Sequence, residues 1–124
     1  MKTLGLVIAI TMSIFAGCLL ASGWYLDRAC TFTQAGDVDL ALDNFRQANS
    51  LNPLDPWGRF FEANLLFNKE PTHYQLRRFE EVLAMSPYFC KVNLTYGQAL
   101  DRMGYKGSAW NQWLIWKTYH VTED

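Results

Sequence analysis

The first apolar pattern is an unbroken run. From Thr3 to Leu26 no charged residue occurs, and the string TLGLVIAITMSIFAGCLLASGWYL shows neither strand alternation nor a polar helix face. At 1.5 Å per residue, a helix of about 24 residues reaches roughly 36 Å, enough for a hydrocarbon core of ~30 Å. Trp24 and Tyr25 stand where an interfacial aromatic anchor belongs. Beyond Leu26 the pattern changes. Apolar positions recur at helical spacing, interrupted at Gly36, at Asn52-Pro53-Leu54-Asp55-Pro56, at Pro71 and at Gly104. No stretch sustains a period of two, so a sheet is not expected. The breakers predict helices over 22–35, 37–50, 56–68, 72–85, 90–103 and 107–120. Asp37 and Thr72 are positioned to cap the helices that follow them. No breaker separates Leu26 from Cys30, so the apolar helix is expected to run straight into the first of the others.

The second half of the pattern repeats. Phe45 and Phe79 are 34 residues apart, as are Pro53 and Pro87, and NFRQANSLNP parallels RFEEVLAMSP. Extending that frame gives three registers, 22–55, 56–89 and 90–123. Small residues fall at one place in each, at Ala29, Ala63 and Gly97. There two helices of a pair must cross closely, and a larger side chain would overpack them. Phe45, Phe79 and Trp113 share a second place, where a ring fills the gap between successive pairs.

This arrangement resembles the tetratricopeptide repeat family. Tyr25, Ala29 and Phe32 fit the large–small–large order of its first helix, and Ala41, Phe45, Ala48 and Pro53 fit its second helix in full. The later repeats depart from the pattern at Arg59, Gln75, Asn93 and Val121. The resemblance implies an all-α protein, and the apolar run makes residues 1–26 a transmembrane helix or signal sequence. That helix continues into a three-repeat solenoid over 22–123, which works by binding protein rather than by catalysis. Its groove would be lined by first helices, here through Phe60, Asn64, Phe67, Asn68, Leu94, Gln98 and Arg102, with Cys30, Thr33, Gln34 and Asp101 nearby. Some members clamp a terminal carboxylate through Lys and Asn. Of those slots only Lys91 is suitably occupied, while Leu26, Cys30, Phe61 and Thr95 fill the others, so no clamp is expected.

Solenoids usually close on a polar helix, whereas the final predicted helix here carries Trp110, Leu114, Ile115 and Tyr119 in addition to Trp113 and Trp116. The first four cannot all turn inward and are read as an interface, for which Trp and Tyr are favoured anchors. In the apolar run, Gly5, Ala9, Ser13, Gly17 and Ala21 form a small-residue stripe suited to close helix packing in lipid.

Three readings of the N-terminus remain open. It is a retained anchor, a lipoprotein signal with Cys18 as the acylated residue of Phe15-Ala16-Gly17-Cys18, or a signal cleaved near Ala21 or Gly23. The continuation of apolar residues past Cys18 favours the anchor. An exported body places the soluble part outside the cytoplasmic face, in a periplasm.

Charge and chemistry narrow the classes further. From Asp27 onward, ten Lys and Arg face twelve Asp and Glu, which argues against a nucleic-acid partner. No phosphate-binding glycine loop, Cys-x-x-Cys or His-x-x-x-His occurs, so neither cofactor nor metal is expected. His73 and His120 read as surface or cap residues. Arg77-Arg78-x-Glu80-Glu81 reads as a solvated face with local ion pairs, and Cys30 and Cys90 as too distant for a disulfide. Asn93-Leu94-Thr95 fits a glycosylation triplet, but at a core-facing slot. The function expected is a membrane-anchored interaction scaffold of the cell envelope, with envelope or membrane proteins as partners. Alternatives are a lipoprotein aiding pilus or outer-membrane assembly and a subunit of a homo-oligomer. The string from Ala41 to Pro56 after an apolar helix also resembles the C-terminal end of O-antigen ligases and pilin-glycosylating enzymes, which implies an accessory subunit of such an enzyme as a further alternative.

Overall fold

The computed structural model describes residues 1–87 and 89–120, the side chains of Cys90, Tyr119 and His120 excepted. Its helices are α1 (Lys2–Gln34), α2 (Val38–Leu51), α3 (Pro56–Lys69), α4 (His73–Met85), α5 (Cys90–Arg102) and α6 (Lys106–His120). No strand occurs among the described residues. Helices α2 to α6 match the predicted boundaries within one residue. The predicted helix over 22–35 is absorbed into α1, as the missing breaker after Leu26 requires. The chain forms two compact units, Met1–Asp55 and the residues from Pro56 onward.

In the first unit, α2 folds back against the C-terminal part of α1. Gly36 makes the reversal, with a φ of 82° that side chains rarely tolerate. Beside it the Asp37 N–H donates to Phe32 O at 2.9 Å, which closes the last turn of α1. The Asp37 carboxylate then accepts from the Leu40 N–H and caps α2. The helices touch where side chains are small: Ala29 and Ala41 are both fully buried. Ser22 is buried as well, and its Oγ donates to Ala48 O at 3.0 Å, a polar stitch close to the end of the apolar run.

Among the described residues nothing packs against the remainder of α1. Its 18-residue window of mean hydropathy 2.4 is wholly unburied, and the helix is long and apolar enough to cross a membrane. Its 33 residues amount to about 50 Å of continuous helix. Along the small-residue stripe, a Cβ added at Gly5 or Gly17 would meet open space. Ser13 Oγ donates to Ala9 O within the helix.

The second unit holds two hairpins, α3–α4 and α5–α6, with α5 packed on α3 and α4. Phe79 is 0% exposed and sits among Phe60, Phe67 and Tyr96, with ring centroids 5.8–6.5 Å away. Ala63 and Ala109 are buried at the helix crossings. At Gly97 the approach is tighter still: a Cβ there would lie 2.7 Å from the Trp113 ring. Thr72 Oγ1 accepts from the Gln75 N–H and starts α4, and Gly104, with a φ of 87°, ends α5. The departure at Asn93 has a physical reason. Asn93 is buried, and its amide donates to Pro87 O and Phe89 O, which ties the entry of α5. That burial also removes it from the surface a glycan would need. Gln75, in the slot held by Ala41 and Ala109 in the other repeats, is buried, and its Oε1 has no hydrogen-bond partner among the described residues.

Two of the four charged groups of the Arg77-Arg78-x-Glu80-Glu81 run on α4 reach neighbouring helices. Arg78 lies 3.7 Å from Glu62 on α3, and Glu80 accepts from the Tyr96 hydroxyl at 2.7 Å. Both partners belong to packed helices, while Arg77, Glu80 and Glu81 are exposed, so this face of α4 is solvated and also bridges elements.

Phe79→Ala is expected to lower the unfolding free energy by about 3–5 kcal/mol, since it empties the centre of the core. Gly36→Ala should cost about 1 kcal/mol through backbone strain alone. Denaturant titration of the full chain, followed by helical circular dichroism, measures both.

Candidate functional site

Among the described residues of the second unit two clefts differ in chemistry. The first lies between α3 and α5, has a volume of about 80 Å³, and is polar. Asn64 and Asn68, one helical turn apart on α3, face Gln98 and Arg102, one turn apart on α5. Arg102 Nη1 donates to Asn68 Oδ1 at 3.1 Å, and Asn68 Nδ2 lies 3.4 Å from Asn64 Oδ1. The Arg102 guanidinium also stands 5.2 Å from the Phe67 ring centroid. The amides and guanidinium are thus held in a row before any ligand arrives. They offer N–H donors and carbonyl acceptors together, as an extended peptide backbone or a carboxylate requires.

The second cleft lies between α5 and α6, with a volume of about 420 Å³, and it is aromatic. Trp110, Trp113 and Trp116 line it with Leu94 and Leu114, and Gln98 and Lys117 stand at its polar edge. Trp110 is 60% exposed and Leu114 46%. Ile115 is exposed on α6 but does not line the cleft. The Tyr119 side chain and Val121 lie outside the described residues.

The expected groove set is therefore divided. Asn64, Asn68, Gln98, Arg102 and the ring of Phe67 come together at the polar cleft. Phe60 does not line it: it is 2% exposed and packs with Trp57, Phe79 and Phe89, because α5 covers that face of α3. Leu94 belongs to the aromatic cleft instead. Thr95 and Ala99 line the polar cleft in its place, one residue further round α5. Their signal was the helical step from Gln98 and Arg102, which puts Thr95 and Ala99 on the same face.

Other candidates are placed as follows. Lys91 stands 5.8 Å from the Trp57 ring centroid. Asp101 pairs with Lys106 at 2.6 Å beside the polar cleft. His73 is exposed at the start of α4, 2.9 Å from the Tyr105 hydroxyl. Cys18 and Cys30 are free thiols, and Cys30 is held above its ordinary pKa by burial and by the Asp27 carboxylate. That shift opposes thiolate formation at Cys30. Among the described residues no three His, Cys, Asp or Glu converge as metal ligands would.

No family model matches the sequence, and no curated protein matches it. Solved structures do. MamA superposes with a TM-score of 0.75 at 13% identity, over 83% of this chain and 60% of that one. A second MamA structure gives 0.71 at 13% identity, over 83% and 56%. The second TPR of Spaghetti (RPAP3), solved bound to the HSP90 peptide SRMEEVD, gives 0.73 at 11% identity, over 80% and 92%. The chain has the tetratricopeptide-repeat fold. It spans less than two thirds of the MamA chains. In tetratricopeptide terms the polar cleft lies between first helices of successive repeats, and the aromatic cleft lies within the third repeat.

Tyr96 ties the second and third repeats together and carries a pH signature. Burial, with the hydrogen bond and charge of Glu80, raises its pKa above the ordinary value near 10. The folded state favours the protonated phenol, so its contribution is whole below about pH 10 and falls as pH rises beyond it. Tyr96→Phe is expected to weaken that alkaline loss, read from denaturation midpoints of both proteins across the same pH range.

Proposed function

We propose that this chain is a membrane-anchored protein–protein interaction scaffold without catalysis of its own, holding its first repeat close to the bilayer on the extracytoplasmic side. The observation that carries the reading is α1: one helix whose apolar half is unburied and whose other half is the first helix of the first repeat. A helix of that kind leaves no loose linker between lipid and the first repeat. Trp24 at its exposed edge, with the Arg28 guanidinium 4.6 Å above the ring, supports an interfacial position for this turn. The polar cleft supports capture of a peptide segment, its backbone or an acidic side chain meeting Asn64, Asn68, Gln98 and Arg102. The aromatic cleft supports a second contact, with an envelope or membrane protein as the partner.

Fractionation tests the anchor. The full chain is expected to stay with membranes through alkaline carbonate and leave only with detergent. Changing Leu6, Ile10 and Ile14 to Lys should release it. Release of the unaltered chain by carbonate would overturn the anchor, and a diacylglyceryl mass on Cys18 at a shortened N-terminus would replace it with lipidation. The groove is tested separately. Asn68→Ala with Arg102→Ala removes two ligand-facing hydrogen-bonding groups, and the recovery of a co-purifying partner should drop about tenfold.

A further inference from the structure

The aromatic cleft has an internal template. Stepping back 34 residues from Trp110, Trp113 and Trp116 gives Leu76, Phe79 and Val82, all buried in the core. The same step from Leu94 gives Phe60, also buried. Those four residues form the surface on which α5 sits, meeting it through Val92, Tyr96 and Ala99. The cleft is thus a second copy of a helix-receiving surface already filled once in this molecule, and it continues that interface by one repeat.

Two changes in the copy define its occupant. Glu80, which accepts from the Tyr96 hydroxyl, becomes Leu114, so the residue facing it must be apolar. Leu83, packed against the core, becomes Lys117, so the rim has gained a cation. The α6 sequence contains no acidic residue to neutralise it. We propose that the cleft receives an amphipathic helix from a partner protein, docked as a seventh helix in the register of α5. That helix presents aliphatic residues at the places of Val92 and Tyr96, a small residue at that of Ala99, and a carboxylate toward Lys117.

A second copy of this chain fits less well. The residues of α1 in the register of Val92, Tyr96 and Ala99 are Trp24, Arg28 and Thr31. They would bring the Arg28 cation onto the turn that carries Leu114 and Lys117. Like charges there oppose the contact.

The inference rests on the scaffold reading and assigns the occupant of one of its surfaces. Its test uses the full chain in nanodiscs and a fluorescent, stapled peptide copying residues 89–103 with Tyr96→Leu and, one turn before it, Asn93→Glu. A control peptide retains Asn93. The acidic peptide is expected to bind about tenfold more tightly than the control. Trp110→Ser and Leu114→Glu in the protein should each weaken it at least tenfold with helical circular dichroism unchanged. Lys117→Glu should invert the preference between the two peptides. Asn64→Ala in the protein should leave peptide binding unchanged, which separates this cleft from the polar one. Absence of binding, or binding indifferent to Trp110→Ser and Lys117→Glu, overturns the proposal. So does self-association of the unaltered chain that Leu114→Glu abolishes, because the occupant is then a second copy. Membrane retention is independent of all these results, so failure here is distinguishable from failure of the anchor.

Discussion

Two helices can lie against each other only as closely as the side chains between them permit, and this chain keeps those side chains small at regular intervals. Ala29 on α1 and Ala41 on α2 are fully buried, and Ala63 is buried in the second unit. At Gly97 even a methyl group would strike the Trp113 ring. Each close crossing fixes the rotation of its helices about their own axes. That rotation decides which residues face inward and which face a cleft. The amide row of Asn64 and Asn68 and the indoles of α6 are where they are because the crossings leave no other rotation open. Packing at this density tolerates little added volume.

Much of this was legible from residue order alone. Glycine and proline punctuation placed the five shorter helices, because a positive φ at Gly36 and Gly104 and the missing N–H of proline act locally. The absence of punctuation after Leu26 was as informative, and α1 is unbroken there. The small and aromatic slots followed from the 34-residue period. Exposure of Trp110 and Leu114 followed from counting more large apolar groups on α6 than one inner face can hold.

The faces of individual groove residues were less legible. Phe60 and Leu94 share a slot, and both were expected in the groove. Neither is there, since that slot points along the stack toward the next helix and not across the groove. Sequence spacing gives an angle about a helix axis, but whether that angle is covered depends on a neighbour far along the chain. The same limit explains α4, where the run of charges at helical spacing suggested local pairs. Tyr96 and Glu62 on adjacent helices offer Glu80 and Arg78 partners that no local count contains. The unpartnered Oε1 of Gln75 has no account in either the repeat pattern or the packing.

The continuity of α1 has a geometric corollary. Apolar and repeat-forming residues share a single screw, with Ser22 and Ala29 clasped by α2 and the uncharged stretch running out in the opposite direction. Inserting one residue between Leu20 and Ala21 would therefore turn every preceding side chain by 100° about the axis and displace it by 1.5 Å. Inserting seven would restore the azimuth almost fully while adding about 10 Å of height. Orientation and reach are thus two separate dials on the same rod, and natural variation in the length of this segment would leave its mark as a preference for some spacings over others.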